Sequence, residues 1–134
     1  LAGLRVGYGV ADPEFLGYVN RLRDPFNVNH LAQVGALAAG ADATHLESCR
    51  KLNNEGKAWQ AKEFSTLGIE FAPTVANFYL VHVGDGERVS QALLQQGVFV
   101  RTLRGFGLPE HVRITIGTHE ENVRAIETLR TVLP

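Results

Sequence analysis

A chain of 134 residues is one ordinary domain, or one domain with a piece of another, and 45% hydrophobic with 20% charged residues is the composition of a globular protein. A net charge of −1 and a sequence pI near 6.6 give no electrostatic case for nucleic acid or an anionic membrane, and no apolar run approaches the ~20 residues of a membrane span. The single cysteine, Cys49, rules out an internal disulfide and has no metal-site partner spacing, which leaves it as small core filler on a helix. The chain holds no methionine, and it starts inside the apolar run from Leu1 to Val6 with neither the basic start nor the cleavage pattern of a signal peptide. The expectation is therefore a fragment whose N-terminal portion lies upstream.

In chain order, residues 4–10 read as a strand that carries Arg5, with Gly7 and Gly9 marking close approach of backbone or ligand. Asp12 at the N-cap and Pro13 at the first helical position start a helix whose apolar stripe is Phe15, Leu16, Val19 and Leu22. Pro25 ends it. After a short link at 26–29, Asn29 caps a helix over 30–39 with Leu31, Val34, Leu37 and Ala38 on one face, and Gly40 is placed to stop it. Asp42 caps a longer helix over 43–67. Leu46, Cys49, Leu52, Trp59 and Leu67 fall on one side of it, and Lys51, Glu55, Lys57, Lys62 and Glu63 form its wet face. It is well above the mean helix length of ~11–12 residues and is expected to span two structural units.

Gly68 stops that helix, residues 69–72 form a short strand broken by Pro73, and 76–83 form a better one. A turn at 84–86 leads into a helix over 87–96, stopped by Gly97. Two β-rich runs, 98–103 and 111–117, then flank a loop with Gly105, Gly107 and Pro109. Thr118 and Glu121 make a capping box for a last helix whose inward residues are Val123, Ile126, Leu129 and Val132. The order from residue 76, β-α-β-β-α, is that of an α/β protein with a small mixed sheet covered by helices.

The two β-rich runs carry the chemistry. Val98 and Val100 alternate with Phe99 and Arg101, and Val112, Ile114 and Ile116 alternate with Arg113 and Thr115. Alternation of this kind makes half-buried strands with opposite faces doing different work. If the runs pair as an antiparallel ribbon, Arg101 and Arg113 share one face. Two guanidiniums side by side suit a phosphate or carboxylate; the alternative is a pair of solvated surface arginines. Other candidates are sparse. Histidines 30, 45, 82, 111 and 119 show no metal-ligand spacing, and the segments around Tyr8 and Phe106 are too short to be phosphate loops.

At these same places the sequence resembles the histidinol-phosphate aminotransferases, pyridoxal-phosphate (PLP) enzymes of the fold-type-I class. The resemblance rests on Leu1-Ala2-Gly3-Leu4-Arg5-Val6-Gly7-Tyr8, on Pro25-Phe26-Asn27-Val28-Asn29-His30-Leu31-Ala32-Gln33 and on Ala76-Asn77-Phe78. It continues through Gly97-Val98-Phe99-Val100-Arg101, Gly107-Leu108-Pro109 and Val112-Arg113-Ile114-Thr115-Ile116-Gly117-Thr118-His119-Glu120-Glu121-Asn122. Each motif is weak alone; the ordered set covers essentially the whole chain.

The resemblance implies the C-terminal part of such an enzyme: residues 1–30 as the end of the large PLP-binding domain and 31–134 as the small C-terminal domain. Arg5 matches the arginine that binds the PLP phosphate. Arg113 matches the substrate-anion arginine, and Arg101 a second arginine associated with the substrate phosphate. Asn27 and Asn29 match a motif with no role assigned here beyond helix capping. The lysine that forms a Schiff base with the cofactor is expected just upstream of Leu1. Lys51, Lys57 and Lys62 match no such motif, so the chain alone is expected to be inactive. The implied reaction moves an amino group between histidinol phosphate and 2-oxoglutarate in histidine biosynthesis, in a cytoplasmic homodimer. Alternatives are an aminotransferase for aromatic amino acids, a threonine-phosphate decarboxylase of the same fold, or a non-catalytic interaction domain derived from it.

Overall fold

The computed structural model describes residues 2–133, so Leu1 of the first motif and Pro134, the last residue of the expected small domain, lie outside the described residues. The chain divides into two compact units, Leu1–Glu47 and Ser48–Pro134.

In the first unit a short 3-10 turn, Ala2–Leu4, leads into Arg5, whose backbone is left-handed at φ 60°. The expected strand over 4–10 is absent: residues 6–10 have no regular structure and Tyr8 is 96% exposed. A strand needs a neighbour for its N–H and C=O groups, and none lies beside it among the described residues. Helix α1, Pro13–Leu22, starts where expected, with the Asp12 carboxylate accepting from Glu14 N at 2.8 Å. Helix α2, His30–Ala41, runs through Gly40 rather than stopping there. Its cap, Asn29, accepts from Ala32 N at 2.8 Å, and its Nδ2 also donates to Leu4 O at 3.2 Å. The apolar stripes of both helices stay exposed; Ala32 is the residue buried in them.

Helix α3, Ala43–Thr66, carries the unit boundary within its 24 residues, as its length suggested. Asp42 caps it through His45 N at 2.8 Å. Its buried line is Gly56, Gln60 and Phe64, one residue every four, all in the second half. Cys49 lies outside that line and is exposed, so it is not core filler.

The second unit is built on a three-stranded sheet: β1 (Phe78–His82), β2 (Arg101–Thr102) and β3 (His111–Thr115), in the order β1-β3-β2. The helix between β1 and β2 is α4, Gly86–Gln95, and the last helix is α5, His119–Val132. The β-α-β-β-α order stands, but β3 lies between the two parallel strands, so both ladders are antiparallel rather than mixed. The strands are shorter than their patterns. Val98 N donates to Leu93 O to close α4, leaving residues 98–100 outside the ladder. The expected strand at 69–72 is reduced to a bridge between Phe71 and Val81.

One sheet face carries the core. Tyr79, Val81, Val112, Ile114 and Ile116 pack with Phe64 of α3, Val89 and Leu93 of α4, and Ile126 and Leu129 of α5. The Tyr79 hydroxyl donates to Lys57 O at 3.1 Å, and burial pushes its phenol pKa up. The Thr118–Glu121 capping box forms as expected at the start of α5. Buried Asn122 joins three parts of this unit. Its Oδ1 accepts from Gln60 Nε2 and from Gly117 N, each at 2.9 Å, and its Nδ2 donates to Gly117 O at 3.1 Å.

Gly86 shows how closely α4 meets the strand that follows the loop. A Cβ there would lie 2.5 Å from His111 O and 2.8 Å from Pro109 O. Both blocking atoms are backbone and cannot rotate aside. Gly86→Ala is expected to cost about 1–3 kcal/mol, as other overpacked sites do. Gly105→Ala, where a Cβ meets nothing within 4 Å, is the near-neutral control. Urea unfolding of the two variants tests this; equal midpoints would contradict it.

Candidate anion-binding site

The alternation in β3 sends Val112 and Ile114 into the core and Arg113 to the opposite face. The register places Arg101 directly across from Arg113. Two like charges in that position repel, so something else must favour the pairing. Part of it is aromatic: Arg113 Cζ lies 5.1 Å from the centre of the Phe78 ring, and Arg101 Cζ 5.7 Å from that of Phe106. A guanidinium over a ring face is attracted by its quadrupole.

Phe106 reaches Arg101 because the loop folds into a 3-10 turn, Arg104–Phe106, closed by Gly107 at φ 76°. Together with Leu80, which pairs with Arg113, and with Leu108, these residues line a cavity of about 450 Å³. Its wall is largely apolar, with two guanidiniums at its edge.

Neither arginine is used up by the protein. Among the described residues no ion pair joins Arg101 or Arg113 to a carboxylate. Arg113 Nε is buried without a hydrogen-bond partner. A buried donor left unmade costs free energy, and an oxyanion placed between the two forks would satisfy it. The arrangement can hold a phosphate or carboxylate against an apolar wall that accepts the rest of the ligand.

Arg5 belongs to the first unit and is exposed on its left-handed turn, with the preceding Leu4 carbonyl held by Asn29. That second bond of Asn29 was not foreseen from the sequence, where capping alone was read. Phe78 and Phe106 were missed as well. The alternation placed Phe78 on the right face, but nothing in the spacing predicted that the glycine-flanked Phe106 would fold back over an arginine. The three lysines all lie on α3, away from the paired arginines in sequence and element. Among the described residues no group of three or more metal-ligating side chains is assembled, and no helix is long and apolar enough to cross a membrane.

Comparison with known proteins places this geometry in context. The family described as "Aminotransferase class I and II" matches residues 1–129. A histidinol-phosphate aminotransferase 1 of Nitrosococcus oceani is 50% identical over 134 residues, covering 99% of this chain and 36% of the relative. A histidinol-phosphate aminotransferase 2 of Ralstonia nicotianae is 49% identical over 137 residues, with 99% and 37% covered. The chain thus spans a little over a third of the length of the curated relatives it matches. Among solved structures, a histidinol-phosphate aminotransferase from Sinorhizobium meliloti in complex with pyridoxal-5'-phosphate superposes with a TM-score of 0.79. It covers 98% of this chain and 38% of that one at 22% identity, a likeness of fold.

Proposed function

Because this chain belongs to the class I and II aminotransferases, we propose that it is the C-terminal part of a PLP-dependent histidinol-phosphate aminotransferase, a cytoplasmic homodimer that exchanges an amino group between histidinol phosphate and 2-oxoglutarate. In this reading residues 1–30 close the large domain and 31–134 form the small one. The observation that carries the reading is the cross-strand pair of Arg101 and Arg113, with a buried, unpartnered Nε on Arg113. The relatives named above, at 49–50% identity, support the choice of substrate.

The residues present fit one end of the cofactor. Arg5 offers a fixed-charge fork, the chemistry a phosphate ester calls for, and its left-handed backbone fixes where the side chain leaves the chain. Among the described residues none is assigned to the aldehyde or the ring nitrogen of PLP. Bound PLP supplies the electron-withdrawing ring for the chemistry at the substrate's α-carbon.

The remaining tasks fall to side chains of this chain. Arg113 and Arg101 bind the substrate phosphate and set the distance between it and the reacting end. Phe78 and Phe106 attract the two guanidiniums from the faces of their rings. Leu80 and Leu108 keep water from one side of the anion. Fixing a substrate at a remote anion aligns its reacting end and converts binding into rate.

The reading is tested by comparing amino donors on the complete enzyme. Histidinol phosphate should be used with a specificity constant at least tenfold above that for histidinol or phenylalanine. Equal use of the phosphorylated and unphosphorylated donors would overturn it. Arg5→Ala should weaken PLP retention, measured by cofactor titration, and leave the phosphorylated-donor preference intact. Unchanged PLP affinity in that variant would remove Arg5 from its role.

A further inference from the structure

On the same sheet face as Arg113, two cross-strand pairs along, His82 stands opposite His111. Val83 N donates to Glu110 O on the adjoining pair at 2.8 Å. The histidines are therefore a non-hydrogen-bonded pair, the kind whose side chains approach most closely. Both are half-buried on the side away from the core, since Val81, Val83 and Val112 point into it. Their rings are 5.0 Å apart at 77°. His111 Nδ1 is buried with no hydrogen-bond partner, and the Glu110 carboxylate lies 3.7 Å from His82 Nε2.

Two imidazoles bound to one tetrahedral ion, each nitrogen about 2.0–2.1 Å from it, hold their ring centres about 5 Å apart. That is the spacing of this pair. Imidazole nitrogen suits zinc and copper, and copper binds N-donor sites more tightly than the other divalent ions of its row. We propose that His82 and His111 form a two-imidazole site for a divalent zinc or copper ion, completed by water, with the exposed carboxylate of Glu110 nearby. Among the described residues no three ligating side chains already stand in coordination geometry, so this is an open site and not a closed structural centre. Coordination would engage the His111 Nδ1 that the protein leaves without a partner. The ion would also tie β1 to β3 two pairs away from Leu80 and Arg113.

The competing explanation is plain edge-to-face stacking of two rings, and titration separates the two. The 134-residue chain is titrated calorimetrically with zinc chloride and, separately, with copper(II) chloride at about pH 7.5, where unperturbed imidazoles are neutral. One ion per chain is expected, with a higher Tm when it is bound. His82→Ala and His111→Ala should each weaken binding at least tenfold, while a variant with His30, His45, His119 and Cys49 all replaced should bind as the parent does. Lowering the pH to about 5.5 should release the ion, because protons compete for the same nitrogens. His82→Gln, at a half-buried ring, serves if His111→Ala does not fold. Zinc should also shift the ring resonances of His82 and His111 ahead of the other histidines. Binding that survives both histidine-pair substitutions, binding lost in the fourfold variant, or no binding at all would overturn the site.

Discussion

If Arg113 binds the substrate anion as proposed, replacing it by alanine in the complete enzyme is expected to lower the specificity constant for histidinol phosphate roughly tenfold to a hundredfold or more and to leave PLP affinity nearly normal. The magnitude follows from charge-assisted bonds to a partly desolvated anion, about 1.5–3 kcal/mol each, read as a ratio of specificity constants. Arg113 is the better placed of the pair: it is half-buried, its Nε is shielded from water, and it lies over Phe78. Arg101 is exposed and lies farther from its ring, so Arg101→Ala should cost less. Arg113→Lys should not restore activity, because an ammonium is a point charge that cannot copy the fork. Paired titrations of the alanine variants with PLP and with histidinol phosphate decide the matter. Loss of PLP with retained substrate affinity in Arg113→Ala would reverse the roles assigned to it and to Arg5.

The paired arginines were legible in the sequence because the signal is local. Val112, Ile114 and Ile116 must be buried on one face, which leaves Arg113 on the other whatever the sheet's topology. The loop with Gly105 and Gly107 is short enough to return the chain as a ribbon, which sets Arg101 against it. Helix starts were legible for the same reason, since Asp12, Asn29, Asp42 and Thr118 each bond a backbone N–H within three residues. What depends on distant parts of the chain was not. An apolar stretch such as residues 6–10 has the character of a strand, but the character does not supply a partner. The insertion of β3 between β1 and β2 is likewise invisible in an order of elements. On α3 the hydropathy pattern pointed to Leu46, Cys49, Leu52, Trp59 and Leu67; Trp59 and Leu67 do pack against the core, but the fully buried line runs through a glycine, a glutamine and a phenylalanine. Gly56 and Gln60 are there for approach and hydrogen bonding, which hydropathy does not record.

That line also locates the most sensitive polar group of the second unit. Asn122→Ala is expected to destabilise it by about 3–5 kcal/mol, near the upper end for a single substitution, because several buried groups lose their partners together. Asn122 accepts from Gln60 and from Gly117 N and donates to Gly117 O. Its removal strands the Gln60 amide, whose Oε1 already lacks a partner, in a site with no exposure. Gly56 brings α3 so close here that an added Cβ would stand 2.5 Å from Ile116 Cγ2 and 3.0 Å from Asn122 Nδ2. Gln60→Leu should cost less than Asn122→Ala, because it removes a group that is only half satisfied and leaves both Gly117 bonds in place. The double variant Gln60→Leu with Asn122→Ala should then be more stable than the sum of the two costs predicts, by about 1 kcal/mol or more, as coupled neighbours are. Chemical unfolding of the two singles and the double measures that coupling. Strict additivity would mean that the Gln60–Asn122 bond, short as it is, contributes nothing to holding α3 against α5.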